Sequence, residues 1–290
     1  MTRERNTFMA DRGCPLCESR RNRKYVNVNR RYASKEYKLL LSKCQDCGFV
    51  FLRNEIDIEY DGDYLEREAV ITKDDPYAQF IARERVSGIA RVVPPEPGKR
   101  FLDVGIGDGL LLHLAEELGY TTYGLDINAD GLRLARSTYG IRAELSLEPM
   151  GDAFPGTQFD VIHMNEVIEH VTDPMPLLNN CRKRLKEGGF LVIQTGNIDS
   201  AVSRIKGSSW AYIRPVHVSY FSTKTLLHAI KESGFKPIKW MTLDWRLQSV
   251  VNQAGRLLKH GQPKGGLKMM ILYLTSIAHG TRRSVVVYAT

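Results

Sequence analysis

The 290-residue chain has no apolar run long enough to cross a bilayer: the longest, near Met269 to Ala278, falls well short of the roughly 20 residues a transmembrane helix needs. Its opening, MTRERNTFMADRG, lacks the apolar core of a secretory signal. Both absences lead us to expect a soluble, cytoplasmic protein. Cysteine is scarce, with five in all, and a reducing compartment leaves little use for disulfides. Acidic residues are short in one place only. Residues 1–53 carry 13 Lys and Arg against 5 Asp and Glu, whereas the remainder balances 28 against 28. The net charge of +8 therefore sits in the N-terminal fifth, where it can meet phosphate on nucleic acid or on a substrate, or offset a metal–thiolate cluster. A hydrophobic share of 43% is ordinary for a soluble core, and the length suits one large domain or a domain with an appendage.

A further absence lies in the stretch Phe101 to Gly109, FLDVGIGDG. A strand-like run ends in Asp103 and breaks into Gly105, Gly107 and Gly109 before the helical run Leu110–Leu118. A glycine-rich turn that opens a helix lets a ligand lie against bare peptide. A dinucleotide-binding GxGxxG would need a third glycine at 110, which is Leu110. Asp103 would also repel a pyrophosphate.

What is present is a strict alternation. From Lys99 the pattern reads strand Arg100–Val104, helix Leu110–Leu118, strand Thr121–Leu125, helix Ala129–Tyr139, a short strand near Arg142–Leu145, strand Phe159–His163, helix Pro176–Leu185 and strand Phe190–Thr195. Apolar strands separated by helices predict a parallel sheet with ligands at its carboxyl ends. Asp126, 21 residues past Gly105, ends the second strand, where a carboxylate can accept both hydroxyls of a ribose. A ligand with a ribose, no phosphate and a cationic end suits both acids, and S-adenosylmethionine has all three properties.

Upstream, four cysteines form two CxxC turns, Cys14–Cys17 and Cys44–Cys47, with 26 residues between them. Thiolates so spaced can supply a tetrahedral zinc site, and a closed four-sulfur site serves to fold a segment too small for its own core. Disulfides are the competing reading. Tyr25–Val28, Tyr37–Leu41 and Gly48–Leu52 read as the strands of a zinc ribbon. An acidic, tyrosine-bearing link, Glu55–Tyr64, and a helix over about Tyr77–Val92 follow; Pro94, Pro95 and Pro97 end that helix. Cys181 falls in an apolar helical pattern and reads as core.

LDVGIGDG, YGLDIN, FDVIHMNEVIEHVTDP, LLNNCRKRLKEGGFLVIQTGN and VHVSYFSTKTLLHAIKESGFKPI, in that order over about residues 99 to 240, resemble the blocks of the class I S-adenosylmethionine-dependent methyltransferases. The paired cysteines ahead of them resemble a bacterial subgroup in which a CxxC…CxxC module precedes the methyltransferase, seen among enzymes modifying sugars, polysaccharides and secondary metabolites. The resemblance implies an α/β, Rossmann-like seven-stranded sheet with an N-terminal zinc ribbon and a helical insertion before the last strand. The domains would be a ribbon at 1–54, a lead-in at 55–98 and a methyltransferase domain at 99–290 with its insertion at about 245–280. It also implies that Gly105 and Gly107 pass under the methionine portion of the cofactor, that Asp103 orients its amino group, and that Asp126 holds the ribose with Ile127 against the adenine. Asn165 would line the methionine end and Tyr64 would cover the cofactor. Leu147 and Glu148 would meet the adenine, with Asp152 an alternative acid.

Methyl transfer to oxygen needs alignment and, for most acceptors, a base. His217 lies in the loop after strand 5, where this fold places its acceptor, beside Trp210, Tyr212, Arg214 and Tyr220. We expect the aromatics to wall the acceptor, Arg214 to pair with an anionic group on it and His217 to take the proton; the alternative is that His217 caps the loop. His170, next to Glu169, is a second candidate base, or structural. Helices expected at Trp245–Lys259 and Gly266–Ala278 would cover the acceptor, form a homodimer, rest on a membrane surface as a peripheral contact, or only pack. The reading is O-methylation of a small-molecule or glycan-like acceptor, with carbon and nitrogen acceptors open. Its rivals are an RNA methyltransferase gripping nucleic acid with the basic ribbon and a non-catalytic S-adenosylmethionine-binding scaffold. No NPPY-type motif follows strand 4, where the chain reads MNEV, and the charge excess stops at residue 53; both weaken the first rival.

Overall fold

The computed structural model describes residues 13–32, 35–54, 56, 74–146, 150, 153–243 and 284–290. Tyr64, Leu147, Glu148, Asp152 and the insertion at 245–280 lie outside them. The described chain forms β1 (Asn22–Tyr32), β2 (Lys35–Cys44), β3 (Val50–Leu52), α1 (Pro76–Ala90), β4 (Arg100–Val104), α2 (Leu110–Glu117), β5 (Thr121–Asp126), α3 (Ala129–Tyr139), β6 (Ala143–Leu145), β7 (Phe159–Asn165), α4 (Pro174–Arg184), β8 (Leu185–Gly196), α5 (Ala201–Lys206), β9 (Ser219–Tyr220), α6 (Thr223–Glu232), β10 (Pro237–Leu243) and β11 (Ser284–Ala289).

Seven strands make one sheet in the order β10-β11-β8-β7-β4-β5-β6. The pairs β8–β7, β7–β4, β4–β5 and β5–β6 are parallel; β11 runs antiparallel to both of its neighbours. From β4 the chain winds out to β5 and β6, then returns to place β7 on the other side of β4. The crevice between the ends of β4 and β7 is therefore the switch point where such sheets bind ligands. Lys186–Gly189, between the expected helix and strand, form a bulge within β8: Phe159 pairs with Leu185, and the register resumes at Val161 with Phe190.

Side chains alternate across these strands. Leu102, Val104, Ile162, Met164 and Ile193 face one core, shared with Leu177 and Leu178 of α4 and Leu226 and Ile230 of α6. Phe101, Val161, Val192 and Val286 face the other, with Leu111 and Leu112 of α2 and Ala82, Val86 and Ile89 of α1. Pro94, Pro95 and Pro97 thus separate α1 from β4 in sequence but not in the core. Asn128 caps α3 by accepting from the Asp130 and Gly131 amides, and Ser222 and Thr225 form a reciprocal capping box on α6.

The ribbon's strands are longer than expected, because β1 and β2 pair as one hairpin from Asn22 with Cys44 to Tyr32 with Lys35. Its sheet has four strands, β1-β2-β3-β9, and the fourth comes from the far end of the chain: Val50 pairs with Tyr220 and Phe51 with Ser219. The Leu52 amide donates to Val218 O (2.8 Å), and the Phe49 and Phe221 rings meet at 4.9 Å. Arg30 of β1 donates from Nε to Ile213 O (2.8 Å) and also binds Ser208 O. Leu39, Leu41, Val50 and Leu52 share a third core with Trp210, Ile213, Val218 and Tyr220.

Candidate functional site

The glycine-rich turn after β4 closes on β5 through the Gly105 and Ile106 amides, both donating to Leu125 O (2.7 and 3.2 Å). Gly105 takes φ +75°, and a Cβ there would stand 2.4 Å from Val167 Cγ2. Gly107 takes φ +56° with nothing within 4 Å of an added Cβ, so peptide is bared to open space. Asp126 braces this turn: Oδ2 accepts from the Gly107 amide (3.1 Å) and Oδ1 from the Asn128 amide (2.9 Å). Burial raises its carboxyl pKa, against the lowering effect of those amides. Asp103 is buried on β4 and bonded to Nδ1 of His163, its parallel neighbour on β7 (2.7 Å). Sequence reasoning assigned His163 no part in this pair; only the register of two strands 60 residues apart brings the groups together.

At the switch point the buried Oδ1 of Asn165 has no hydrogen-bond partner. An acceptor left dry in this way costs free energy unless a donor arrives. Ile127, just past β5, and Leu145, the last residue of β6 and the partner of Asp126, are 47% and 50% exposed.

Across the crevice lies a buried polar network. Glu169 is fully buried in a short 3₁₀ turn after β7 (Ile168–His170); its Oε2 accepts from Thr195 Oγ1 (2.8 Å) and its Oε1 from Tyr212 Oη (2.5 Å). Tyr212 Oη also accepts from the Gly196 amide (2.8 Å), and its ring lies so flat on Gly196 that a Cβ there would sit 2.3 Å from Cζ. Burial, and then the adjacent Glu169, raise the Glu166 carboxyl well above its ordinary range. Trp210 and Tyr220 are buried in the core shared with the ribbon, and Trp210 stacks on Tyr212 at 4.9 Å. Three of the expected acceptor-wall aromatics thus serve the loop's own packing.

His217 is fully buried. Its Nδ1–H donates to Tyr212 O (2.8 Å), and its Nε2 accepts from Arg214 Nε (3.2 Å). Both nitrogens are engaged within the loop, so the geometry is that of the alternative role, a cap, and Arg214 is turned to the ring. His170 is only half-buried. Its Nδ1–H donates to Val216 O (2.9 Å). Burial, then the His170 and Arg214 charges, lower the His217 pKa well below its ordinary value. The unfolded chain therefore binds a proton that the folded chain refuses. Stability should fall as pH drops below about 6.5, at up to about 1.4 kcal/mol per pH unit for this group. His217→Gln is expected to flatten that slope in urea melts run between pH 6.5 and 5; an unchanged slope would show that the ring is not held neutral.

Among the described residues two clusters offer converging metal-ligand atoms: Glu169 with His170 and His217, and the four cysteines. The hydrogen bonds above already satisfy the Glu169 and His217 atoms of the first. In the second, Cys14 Sγ lies 3.5 Å from Cys47 Sγ and Cys17 Sγ 3.6 Å from Cys44 Sγ. A tetrahedral zinc with bonds of about 2.3 Å requires sulfurs about 3.8 Å apart, so the spacing is within reach of it. The turns are formed by Glu18 N to Cys14 O (2.8 Å) and Gly48 N to Cys44 O (3.2 Å), and the Phe49 amide points to Cys47 Sγ (3.5 Å). No helix among the described residues is long and apolar enough to cross a membrane.

Solved structures share the fold. An S-adenosylmethionine-dependent methyltransferase from Archaeoglobus fulgidus superposes with TM-score 0.52 at 20% identity, covering 80% of this chain and 99% of that one. One from Mesorhizobium loti gives 0.51 at 18%, covering 70% and 95%. In sequence, two ubiquinone biosynthesis O-methyltransferases of Cereibacter sphaeroides are similar: one is 32% identical over 167 residues, half of this chain and 68% of that protein, and the other 29% identical over 197 residues, 60% and 78%. The family model described as a methyltransferase domain matches residues 77–239, from the start of α1 into β10. That match covers more than half of the chain and all of the switch-point crevice, and with it the chain belongs to the class I S-adenosylmethionine-dependent methyltransferases.

Proposed function

We propose that the protein transfers a methyl group from S-adenosylmethionine to a hydroxyl of a small-molecule or glycan-like acceptor. The observation that carries this reading is the buried, unpartnered Oδ1 of Asn165 at the end of β7, the switch-point strand. It suits the cofactor's ammonium, the one strong donor that a pyrophosphate-bearing nucleotide lacks at this place. Gly105 and Gly107 would pass beneath the methionine portion. Asp126 would hold the ribose, its carboxylate having lone pairs to spare beyond two amides. Ile127 and Leu145 would lose their exposure to the adenine, at roughly 25 cal/mol per Å² covered. Asp103, fixed by His163, would orient the amino group directly or through water. When bound, the cofactor supplies an activated methyl group; the chain aligns the acceptor, excludes water and removes its proton.

For that proton we favour His170 over His217, because the His170 ring is half-buried in the turn directly after β7 while His217 is fully buried. The curated relatives named as O-methyltransferases support an oxygen acceptor. The four cysteines would hold a structural zinc, which folds the ribbon and takes no part in transfer.

Calorimetry with S-adenosylhomocysteine tests the cofactor site, and wild-type protein that binds none would sink the whole reading. His170→Asn is then expected to keep that affinity, to lose about a hundredfold or more in turnover and to lose the acid limb of the pH–rate profile. Unimpaired turnover would remove His170 from the reaction.

A further inference from the structure

The methyltransferase reading accounts for the switch point between β4 and β7 but not for a cavity of about 520 Å³ between the second cysteine turn and the start of α6. Three cations line it, each from a different element: Arg23 of β1, Lys43 of β2 and Lys224 in the first turn of α6. Two acids face them. Asp46 is occupied, its Oδ1 by Arg21 (2.8 Å) and its Oδ2 by the Ser19 hydroxyl. Asp199 is the other. Among the described residues none of the three cations makes a salt bridge with a carboxylate; the negative groups beside them are Asp199 and, once metal-bound, the Cys44 and Cys47 thiolates that also line the hollow. The first-turn amides of α6 add to the cations, since those of Thr223 and Lys224 have no intrahelical acceptor by position.

Arg23 and Lys224 are exposed and Lys43 half-buried, so the hollow is open to solution; its positive potential draws anions, and its size suits a small group bearing several acceptor oxygens. Its place in the fold says which molecule brings the anion. Asp199 lies in the loop after β8, whose end carries Thr195 and Gly196 of the Tyr212 network, and Ser222 and Lys224 directly follow β9 and the His217 loop. The cavity is therefore built on the acceptor-side loops, not on the glycine-rich turn that faces the cofactor.

We infer that this cavity docks a phosphate or diphosphate group carried by the small-molecule acceptor, with Arg23, Lys43 and Lys224 as its ligands. The inference rests on the methyltransferase reading for the word acceptor, but anion binding is measurable without any turnover. In this arrangement two of the ribbon's cations, Arg23 and Lys43, and one from α6, Lys224, make one substrate subsite.

The test is calorimetry on the full, zinc-loaded chain at low ionic strength, with inorganic pyrophosphate as the probe and S-adenosylhomocysteine as a separate titration. Pyrophosphate is expected to bind, and Lys224→Glu and Arg23→Glu are each expected to weaken it by about tenfold or more. S-adenosylhomocysteine affinity should stay within about twofold in both variants, which shows that they are folded. If wild-type protein binds no pyrophosphate, or binds it equally in the variants, the cations only balance the metal-bound thiolates and the proposal falls. A single-stranded RNA that binds in preference, with pyrophosphate unable to displace it, would also overturn it by making the cavity part of a nucleic-acid surface. Pyrophosphate binding without S-adenosylhomocysteine binding would uphold the cavity and remove the methyltransferase reading instead.

Discussion

Cys44→Ala protein, or wild-type protein stripped by a strong chelator, is expected to lose methyl transfer by on the order of a hundredfold or more while S-adenosylhomocysteine affinity changes little. The separation follows from what each half of the site is built on. The cofactor cradle belongs to β4, β5 and β7, central strands with a core on both faces. The loop before β9, where we propose that the acceptor binds, is held from the ribbon: β9 is the fourth strand of the ribbon's sheet, Leu52 bonds Val218, and Arg30 grips Ile213 and Ser208. The segment carrying the cysteines is too small to fold on burial alone, and a structural zinc contributes about 10–16 kcal/mol of apparent binding free energy to such modules. Without it the β3–β9 pairing loses its support, and misplacing a positioning loop by about 1 Å is enough for a hundredfold loss in rate. Metal analysis should return one zinc per chain. Full turnover in Cys44→Ala would show that the ribbon does not hold the acceptor loop.

Gly105→Ala is expected to have the opposite profile, with S-adenosylhomocysteine binding lost and the ribbon's metal retained. At φ +75° any L side chain costs about 1–2 kcal/mol, and the new Cβ would come within 2.4 Å of Val167 Cγ2. The strain would then pass to the segment Glu166–Val167, where Glu166 already holds φ +55° next to Asn165. Gly107→Ala separates geometry from occupancy. Its Cβ meets nothing in the protein, so stability should fall only by the backbone cost, while the methyl would stand where the cofactor is to lie. Equal binding in Gly107→Ala and wild type would mean that the bared peptide faces no ligand. Calorimetry and thermal melts on both variants give the comparison.

The strand–helix alternation was legible because period and punctuation are local. Arg100–Val104 and Ala129–Tyr139 could be bounded from their own residues, and the three glycines with Asp103 and Asp126 marked the turn. The sequence also showed two CxxC turns, whose thiols the fold brings together. What stayed hidden depends on contacts far apart in the chain. Two-residue β9 has no periodicity to detect, and its partner β3 lies about 170 residues earlier. The Asp103–His163 pair needs the β4–β7 register, and nothing in VHVSYF reveals that Tyr212 O and Arg214 will take both nitrogens of His217. An aromatic-rich loop beside an active site reads as substrate wall; here Trp210 and Tyr220 are covered by a ribbon whose position the local pattern could not supply. The three prolines end α1 in sequence, but that Ala82, Val86 and Ile89 before them face the same core as Phe101 after them is visible only in the fold.

The borrowed strand also sets an order of assembly. The β1–β2 hairpin is local and can form as soon as residues 22–44 leave the ribosome, but the sheet it belongs to stays open along β3 until Ser219 and Tyr220 have been made. At about 5–20 residues per second that interval is on the order of ten seconds or more, during which an apolar edge of Val50, Phe51 and Leu52 waits without its neighbour. The first part of the chain to be synthesised is thus among the last to be completed, and closing the acceptor loop is the same event as finishing the N-terminal sheet.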